Sequence, residues 1–170
     1  VNMATAGESN PDIARRNLIE AAARVAPLGW HVQVYTGLEV IAALHDEVMR
    51  LGVPIVFDQF GGAQAALGPE QPGFAALLAL VGSGKAYVKV SGHYRSSVKA
   101  PAYADCAPLA RALIAANPDR IVWGTDWPHP NQQASPDSAL SEVAPSYDID
   151  DGLALNQLGL WAPDPVLRRK

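Results

Sequence analysis

The stretch Ile121-Val122-Trp123-Gly124-Thr125-Asp126-Trp127-Pro128-His129-Pro130 decides the fold of this chain. An apolar run ends in Gly-Thr-Asp, which reads as a buried strand opening into a loop with a carboxylate at its carboxyl end. Pro128 lacks a backbone donor and stops the strand, while two tryptophans and a histidine crowd the acid. In α/β proteins ligands bind at the carboxyl ends of strands, so Asp126 is a candidate site residue. A turn aspartate capping the next segment fits the same bare pattern.

Working back from this strand, a helical stretch followed by a short apolar strand recurs along the chain. Ala14, Leu18, Ala21, Ala22 and Val25 share one face of a helix predicted over residues 10–26, with Pro11 at its first position and Gly29 just past its end. A strand follows at 31–35. Ile41, Leu44, Val48 and Leu51 mark a helix over 38–51, stopped by Gly52, before a strand at 53–57. Phe74, Leu77, Leu78 and Val81 mark a helix over 72–81, before a strand at 86–90. The last helix covers 103–116, ended by Asn117-Pro118, and the last strand 121–123. Strands alternating with helices imply parallel βαβ units in an α/β fold. Strands that look apolar on both faces predict helical cover on each side. The strand-to-strand interval of about thirty residues suits either a doubly wound sheet or part of a (β/α)8 barrel. No G-x-G-x-x-G or Walker motif follows any strand, which argues against nucleotide binding.

Both ends read as cut. Val1-Asn2-Met3 resembles the tail of a strand, and Asp164-Pro165 opens a helix close to the last residue. A whole barrel takes about 250 residues. The expectation is therefore a single partial barrel domain, residues 1–170, carrying the C-terminal portion of the fold.

The chain has 170 residues, 49% of them hydrophobic, enough for one core. No apolar run is long enough to span a membrane, and no signal-peptide layout opens the chain. Thirteen basic residues against seventeen acidic ones, without a basic cluster, exclude a nucleic-acid partner. A single cysteine, Cys106, precludes an internal disulfide and fits a reducing cytoplasm. Set among Ala and Pro in a helical pattern, it reads as a buried filler rather than a nucleophile.

The strand ends carry the chemistry: Gln33 and Tyr35, then Asp58 and Gln59, then Lys89, Ser91, His93, Tyr94 and Arg95, and finally Asp126 and His129. If the strands are neighbours, these groups face one mouth. Arg95 and Tyr94 offer planar, charge-assisted donors to a carboxylate-bearing ligand, though packing accounts equally for Tyr94. Asp126 either ligates a divalent metal or deprotonates a water held against a carbonyl. His31, His45, His93 and His129 show no H-x-H or H-x-x-x-H spacing. His129, close to Asp126, is the best placed for the site, with a loop-bracing role as its alternative. His31 and His45 read as structural and solvated.

Four pieces in order resemble the amidohydrolase superfamily, and within it the branch related to 2-pyrone-4,6-dicarboxylate hydrolase. They are Gly29-Trp30-His31-Val32-Gln33-Val34-Tyr35, Val56-Phe57-Asp58-Gln59-Phe60-Gly61-Gly62, Tyr87-Val88-Lys89-Val90-Ser91-Gly92 with Tyr94-Arg95, and Arg120 to His129. The last is the most specific. The resemblance implies a TIM barrel in which these strands are the fifth to eighth and Val1-Asn2 closes the fourth. It implies a lactonase-like hydrolase acting on a small carboxylated compound. Asp126 would activate the water and Arg95 would hold a substrate carboxylate; beside them, the strand-end pattern itself offers Gln59 as a catalytic candidate and Tyr94, Tyr35, Gln33, Ser91 and His129 as substrate-binding candidates. Lys89 occupies a recurrent family position to which no role is assigned.

Two departures from the family pattern stand out. Gln59 replaces the histidine of the usual Asp-His-Phe-Gly, and glutamine cannot carry a proton at neutral pH. The H-x-H pair of the first strand is absent. Gln33 and Tyr35 at the end of their strand favour the metal-free branch, so no cofactor is expected; the alternative is a divalent metal such as zinc at Asp126, as in the superfamily's decarboxylases. A different class of reading is a non-catalytic half-barrel that binds or assembles, exposing sheet edges that would drive homo-oligomer formation. The segment 131–146, rich in Pro, Ser and Asp, is a candidate cover for the mouth.

Overall fold

Four short strands form the centre of the molecule in the computed structural model, which describes residues 1–3, 10–130 and 146–169. They are β1 (Val32–Val34), β2 (Ile55–Phe57), β3 (Ala86–Val90) and β4 (Ile121–Trp123). All pair in parallel, in the order in which they occur along the chain. Residues 1–3 run beside β1: Tyr35 N donates to Val1 O at 3.0 Å and Met3 N to Tyr35 O at 2.9 Å. Helices α1 (Pro11–Val25), α2 (Leu38–Ala43), α3 (His45–Arg50), α4 (Phe74–Gly82), α5 (His93–Ser96), α6 (Ala107–Ala116) and α7 (Asp151–Trp161) complete the regular structure. Among the described residues no helix is long and apolar enough to cross a membrane.

Local chemistry accounts for the helix ends. Asn10 accepts from Asp12 N at 2.9 Å, with Pro11 following it, so α1 starts where its first donors are satisfied. Ala14, Leu18 and Ala22 turn its buried face to the sheet. Ahead of α4, Gly73 has φ +84, and a Cβ there would lie 2.6 Å from Leu38 O. Only glycine lets α4 start so close to α2.

The register explains the core. Val32, Val34, Ile55, Phe57, Ala86, Val88 and Val90 point to one face and join Leu18, Leu44, Phe74, Leu77 and Leu109 in the buried cluster. The alternate residues Gln33, Val56, Tyr87, Lys89 and Val122 share the other face. That face borders a cavity of about 480 Å³, and Val122 remains 42% exposed. This corrects the expectation of cover on both sides: among the described residues, helices pack on one face alone. Val56, Tyr87 and Val122 make the runs look apolar throughout, although they lie on the uncovered side.

Three further differences from the sequence reading have local causes. The helix expected over 38–51 divides at Leu44, whose ψ is 0° and whose N–H is shared between Val40 O and Ile41 O. The tightened turn keeps the Leu44 side chain fully buried. The helix expected from 103 begins with a left-handed Tyr103 and a 3-10 turn, Ala104–Cys106, before α6. Helix α7 was not anticipated. Asp150 caps it by accepting from Leu153 N at 2.9 Å, and Trp161 packs edge-on against Phe60 with ring centres 5.8 Å apart. Beyond it, Asp164 accepts from Val166 N as a cap should, and a 3-10 turn, Leu167–Arg169, follows.

Candidate active site

Asp126 is the hub of the polar residues at the strand ends. It follows β4 with φ +69°, a left-handed conformation that costs a non-glycine residue on the order of 1 kcal/mol. The turn is held by His129 N donating to Asp126 O at 2.9 Å and Trp127 N to Thr125 Oγ1 at 3.1 Å. Three side chains converge on the carboxylate. Tyr94 OH donates to Oδ2 at 2.6 Å, Arg95 Nε to Oδ2 at 2.8 Å, and Gln59 Nε2 to Oδ1 and Oδ2 at 3.0 and 3.1 Å. Arg95 Nη2 also holds Pro130 O at 3.1 Å.

Two backbone features bring these donors together. Gln59, Phe60, Gly61 and Gly62 all have positive φ, forming a left-handed turn directly after β2. Phe60 anchors the turn in the core at 0% exposure. After β3, Gly92 has φ +58°, and a Cβ there would lie 3.0 Å from Asp126 Oδ2 and 3.2 Å from Gln59 Cγ. The bare Gly92 backbone thus lets the end of β3 touch both residues, and α5 then delivers Tyr94 and Arg95.

The electrostatics favour an ionised acid. Burial opposes the Asp126 charge, but hydrogen bonds from Tyr94, Arg95 and Gln59 and the Arg95 charge outweigh it, holding the carboxyl below its usual range. Burial and the adjacent carboxylate push the Tyr94 phenol upward, so it stays protonated and donating.

A second cluster lies alongside. Lys89 Nζ donates to Gln33 Oε1 at 2.7 Å and sits 3.2 Å from Asp58 Oδ1, while Gln33 Nε2 donates to Asp58 Oδ2 at 2.8 Å. The three side chains close a ring across β1, β2 and β3. Asp58 and Lys89 were visible as strand-end polar residues, yet their mutual pairing needs the strand register to be known.

A cavity of about 400 Å³ joins the two clusters, bordered by Gln33, Gln59, Lys89, Ser91 and Asp126. A neighbouring cavity of about 310 Å³ is bordered by Tyr35, Gln59, Arg95 and Asp126. Gln33, Tyr35, Gln59, Ser91, Arg95 and Asp126 therefore share one mouth. Tyr94 supports it from behind, packing on Tyr147 and His129 while donating to Asp126. His129 is turned away. It is 6% exposed, its ring meets Tyr94 edge-on at 5.8 Å, and Nε2 lies 3.1 Å from Asp151 Oδ1. His93 is likewise buried, its ring 4.9 Å from that of Tyr103 and tilted to it by 58°, and burial pushes its pKa down. Cys106 is free and buried, its thiol pushed up to about 12 by burial. The candidate cover, 131–146, lies outside the described residues except for Ser146, which pairs with Pro130.

A divalent ion does not suit Asp126 as it is held. Both oxygens accept hydrogen bonds, and one of the donors is a guanidinium 2.8 Å away. Among the described residues no group of three or more His, Cys, Asp or Glu side chains is placed to hold a metal.

A family model described as Amidohydrolase matches residues 2–170. A 2-pyrone-4,6-dicarboxylate hydrolase from Comamonas testosteroni is 34% identical over 165 residues, covering 88% of this chain and 54% of the relative. A D-galactarolactone isomerase from Agrobacterium fabrum is 39% identical over 115 residues, covering 68% of this chain and 36% of the relative. A crystal structure of a Pseudomonas putida protein assigned as a 2-pyrone-4,6-dicarboxylic acid hydrolase superposes with a TM-score of 0.65 at 34% identity. It covers 87% of this chain and 50% of that one. The chain thus spans about half the length, or less, of these relatives.

Proposed function

The chain belongs to the amidohydrolase family, and from that premise we propose that it carries the water-activating part of a site that hydrolyses a carboxylated lactone. The observation behind this reading is the Asp126 carboxylate at a strand end, held by donors from Gln59, Tyr94 and Arg95 at the edge of a polar cavity. Asp126 takes a proton from water as the oxygen attacks the lactone carbonyl. The carbonyl–oxygen bond then breaks, and the proton passes to the departing ring oxygen, giving a hydroxy acid or its tautomer.

Arg95 links binding to basicity. A carboxylate held below its usual pKa is a weak base. A substrate carboxylate that draws Arg95 to itself removes a cation from Asp126 and makes the base stronger at the moment it is needed. Gln59 orients the carboxylate and transfers no proton. Were the family's histidine a proton donor, its replacement would cost about 10²–10⁴-fold in rate. That residue is also what favours a second reading, a module that binds a carboxylated lactone without turning it over.

The sheet, in this reading, is an arc of a (β/α)8 barrel, with β1 to β4 as its fifth to eighth strands. The monotonic strand order, the uncovered sheet face and the relatives' greater length support it. The free, buried Cys106 agrees with a cytoplasmic setting.

Alkali uptake at constant pH, with 2-pyrone-4,6-dicarboxylate and galactarolactone as probes, tests the reading. Ring opening of either probe, absent with a linear ester of equal charge, is the expected result. Binding without uptake selects the module, and neither binding nor uptake overturns both readings.

A further inference from the structure

Opening a lactone needs a proton at two places: one leaves the attacking water, and one reaches the ring oxygen as it departs. Asp126 is occupied with the first. Gln59, which stands where the family pattern has a histidine, releases no proton at neutral pH. The other amides, hydroxyls and indoles bordering the cavity of about 400 Å³ are equally poor acids. Asp58 is engaged as an acceptor, taking Gln33 Nε2 at 2.8 Å and lying 3.2 Å from the Lys89 ammonium. Among the described residues that border this cavity, Lys89 alone carries a proton to give.

The neighbours of Lys89 hold it in place. Its Nζ donates to Gln33 Oε1 at 2.7 Å and sits 3.2 Å from Asp58 Oδ1, so the ammonium reaches from β3 toward β1 and the end of β2. Gln33 and Asp58 both border the cavity that Asp126 borders, which sets the ammonium at its wall. Asp58 is followed by Gln59, whose amide holds the Asp126 carboxylate at 3.0 Å. An ammonium has three donors, and these two contacts leave one. The Lys89 side chain is 31% exposed, against 15% for Asp58, so it keeps open surface where its partner has little. Tying β2 to β3 is the ordinary use of such a pair; its place on the cavity wall gives it a second.

We propose that Lys89 is the general acid of the site, giving a proton from Nζ to the ring oxygen as the acyl carbon–oxygen bond breaks. The proposal rests on the lactone reading above and goes beyond it by naming the group that completes the reaction. Asp126 takes one proton from water, and the water oxygen forms the new bond to the carbonyl carbon. The ring oxygen then leaves with the Lys89 proton, giving an acid and an alcohol on one chain. Asp126 releases its proton to solvent and the Lys89 amine regains one, so both return to their starting charge. A lysine ammonium suits this step because it is charged at neutral pH and is a far stronger acid than an alcohol.

Two probes with different leaving oxygens test it: galactarolactone, whose ring oxygen departs as an alkoxide, and 2-pyrone-4,6-dicarboxylate, whose ring oxygen departs as a more stable enolate. Lys89→Arg keeps a cation beside Asp58 but cannot release its proton. Lys89→Met with Asp58→Asn removes the ion pair whole. Both should slow galactarolactone opening about 10²-fold or more through kcat, with KM and pyrone turnover within about fivefold of wild type. Equal losses on the two lactones mean a structural or purely electrostatic role, and full galactarolactone turnover in Lys89→Arg shows that charge alone suffices; either overturns the assignment. A wild type that opens only the pyrone overturns it as well, since an enolate needs no proton donor, and leaves the lactone reading standing. Where galactarolactone alone is opened, added methylammonium should restore turnover to Lys89→Ala and potassium should not; no rescue overturns the assignment. If neither probe is opened, the lactone reading falls and takes this inference with it.

Discussion

Arg95 donates from Nε to Asp126 Oδ2 at 2.8 Å and from Nη2 to Pro130 O at 3.1 Å, so one guanidinium clamps the acid and the loop that carries it. Asp126 is thereby fixed in direction at the edge of a cavity, with its carboxyl held below the usual range.

The donors around Asp126 set its pH response. Its folded pKa is depressed, so its contribution to stability is present above the unfolded value, about 3.9, and is lost as the pH falls through the lower folded value. Tyr94→Phe removes the 2.6 Å donor. The acid limb of activity should then begin at higher pH than in the wild type, while the stability that Asp126 loses on acidification should be smaller. A carbon-detected NMR titration of the Asp126 carboxyl reads this directly, and an unmoved midpoint would contradict it.

Gly92→Ala places a Cβ 3.0 Å from Asp126 Oδ2 on a backbone at φ +58°. We expect a destabilisation of about 1–2 kcal/mol and a disproportionate loss of turnover, on the order of 10²-fold. Denaturant melts beside steady-state rates check it; a variant with full activity would show that the contact is slack.

Lys89→Met leaves Asp58, only 15% exposed at its side chain, without its cation. The cost should be about 1–2 kcal/mol, below that of a fully buried pair because Lys89 is 31% exposed. The double variant Lys89→Met with Asp58→Asn should recover most of the loss, as a double-mutant cycle in denaturant would show. Additive losses would mean the pair is not coupled.

The uncovered sheet face carries Val56, Tyr87 and Val122 beside its polar groups. A chain of these 170 residues should therefore self-associate. Val122→Lys, at a position 42% exposed, should shift the population toward monomer without lowering the melting temperature. Sedimentation velocity checks both; a wild-type monomer would show that the face is tolerated in water.

The sequence made the strand ends legible because each apolar run stops at a polar cluster, and Asp126, Arg95 and Gln59 meet as that pattern implied. Strands β3 and β4 fall where the apolar runs placed them. The one-sided cover was not legible, since Val56 and Val122 are as apolar as the core residues opposite them. Helix α7 was missed because Gly152 and Gly159 interrupt it and its apolar residues are not confined to one face. His129 looked like a mouth residue from its closeness to Asp126 in the chain. The left-handed turn at both residues sends its ring behind Tyr94 instead.

The most direct measurement is the rate of lactone ring opening in wild type and Asp126→Asn, followed by alkali uptake at pH 7. The account predicts that Asn, unable to accept the water's proton, lowers the rate by about 10³-fold or more while lactone binding persists. Turnover in the variant within a few-fold of wild type would contradict the account, because the water would then be activated elsewhere.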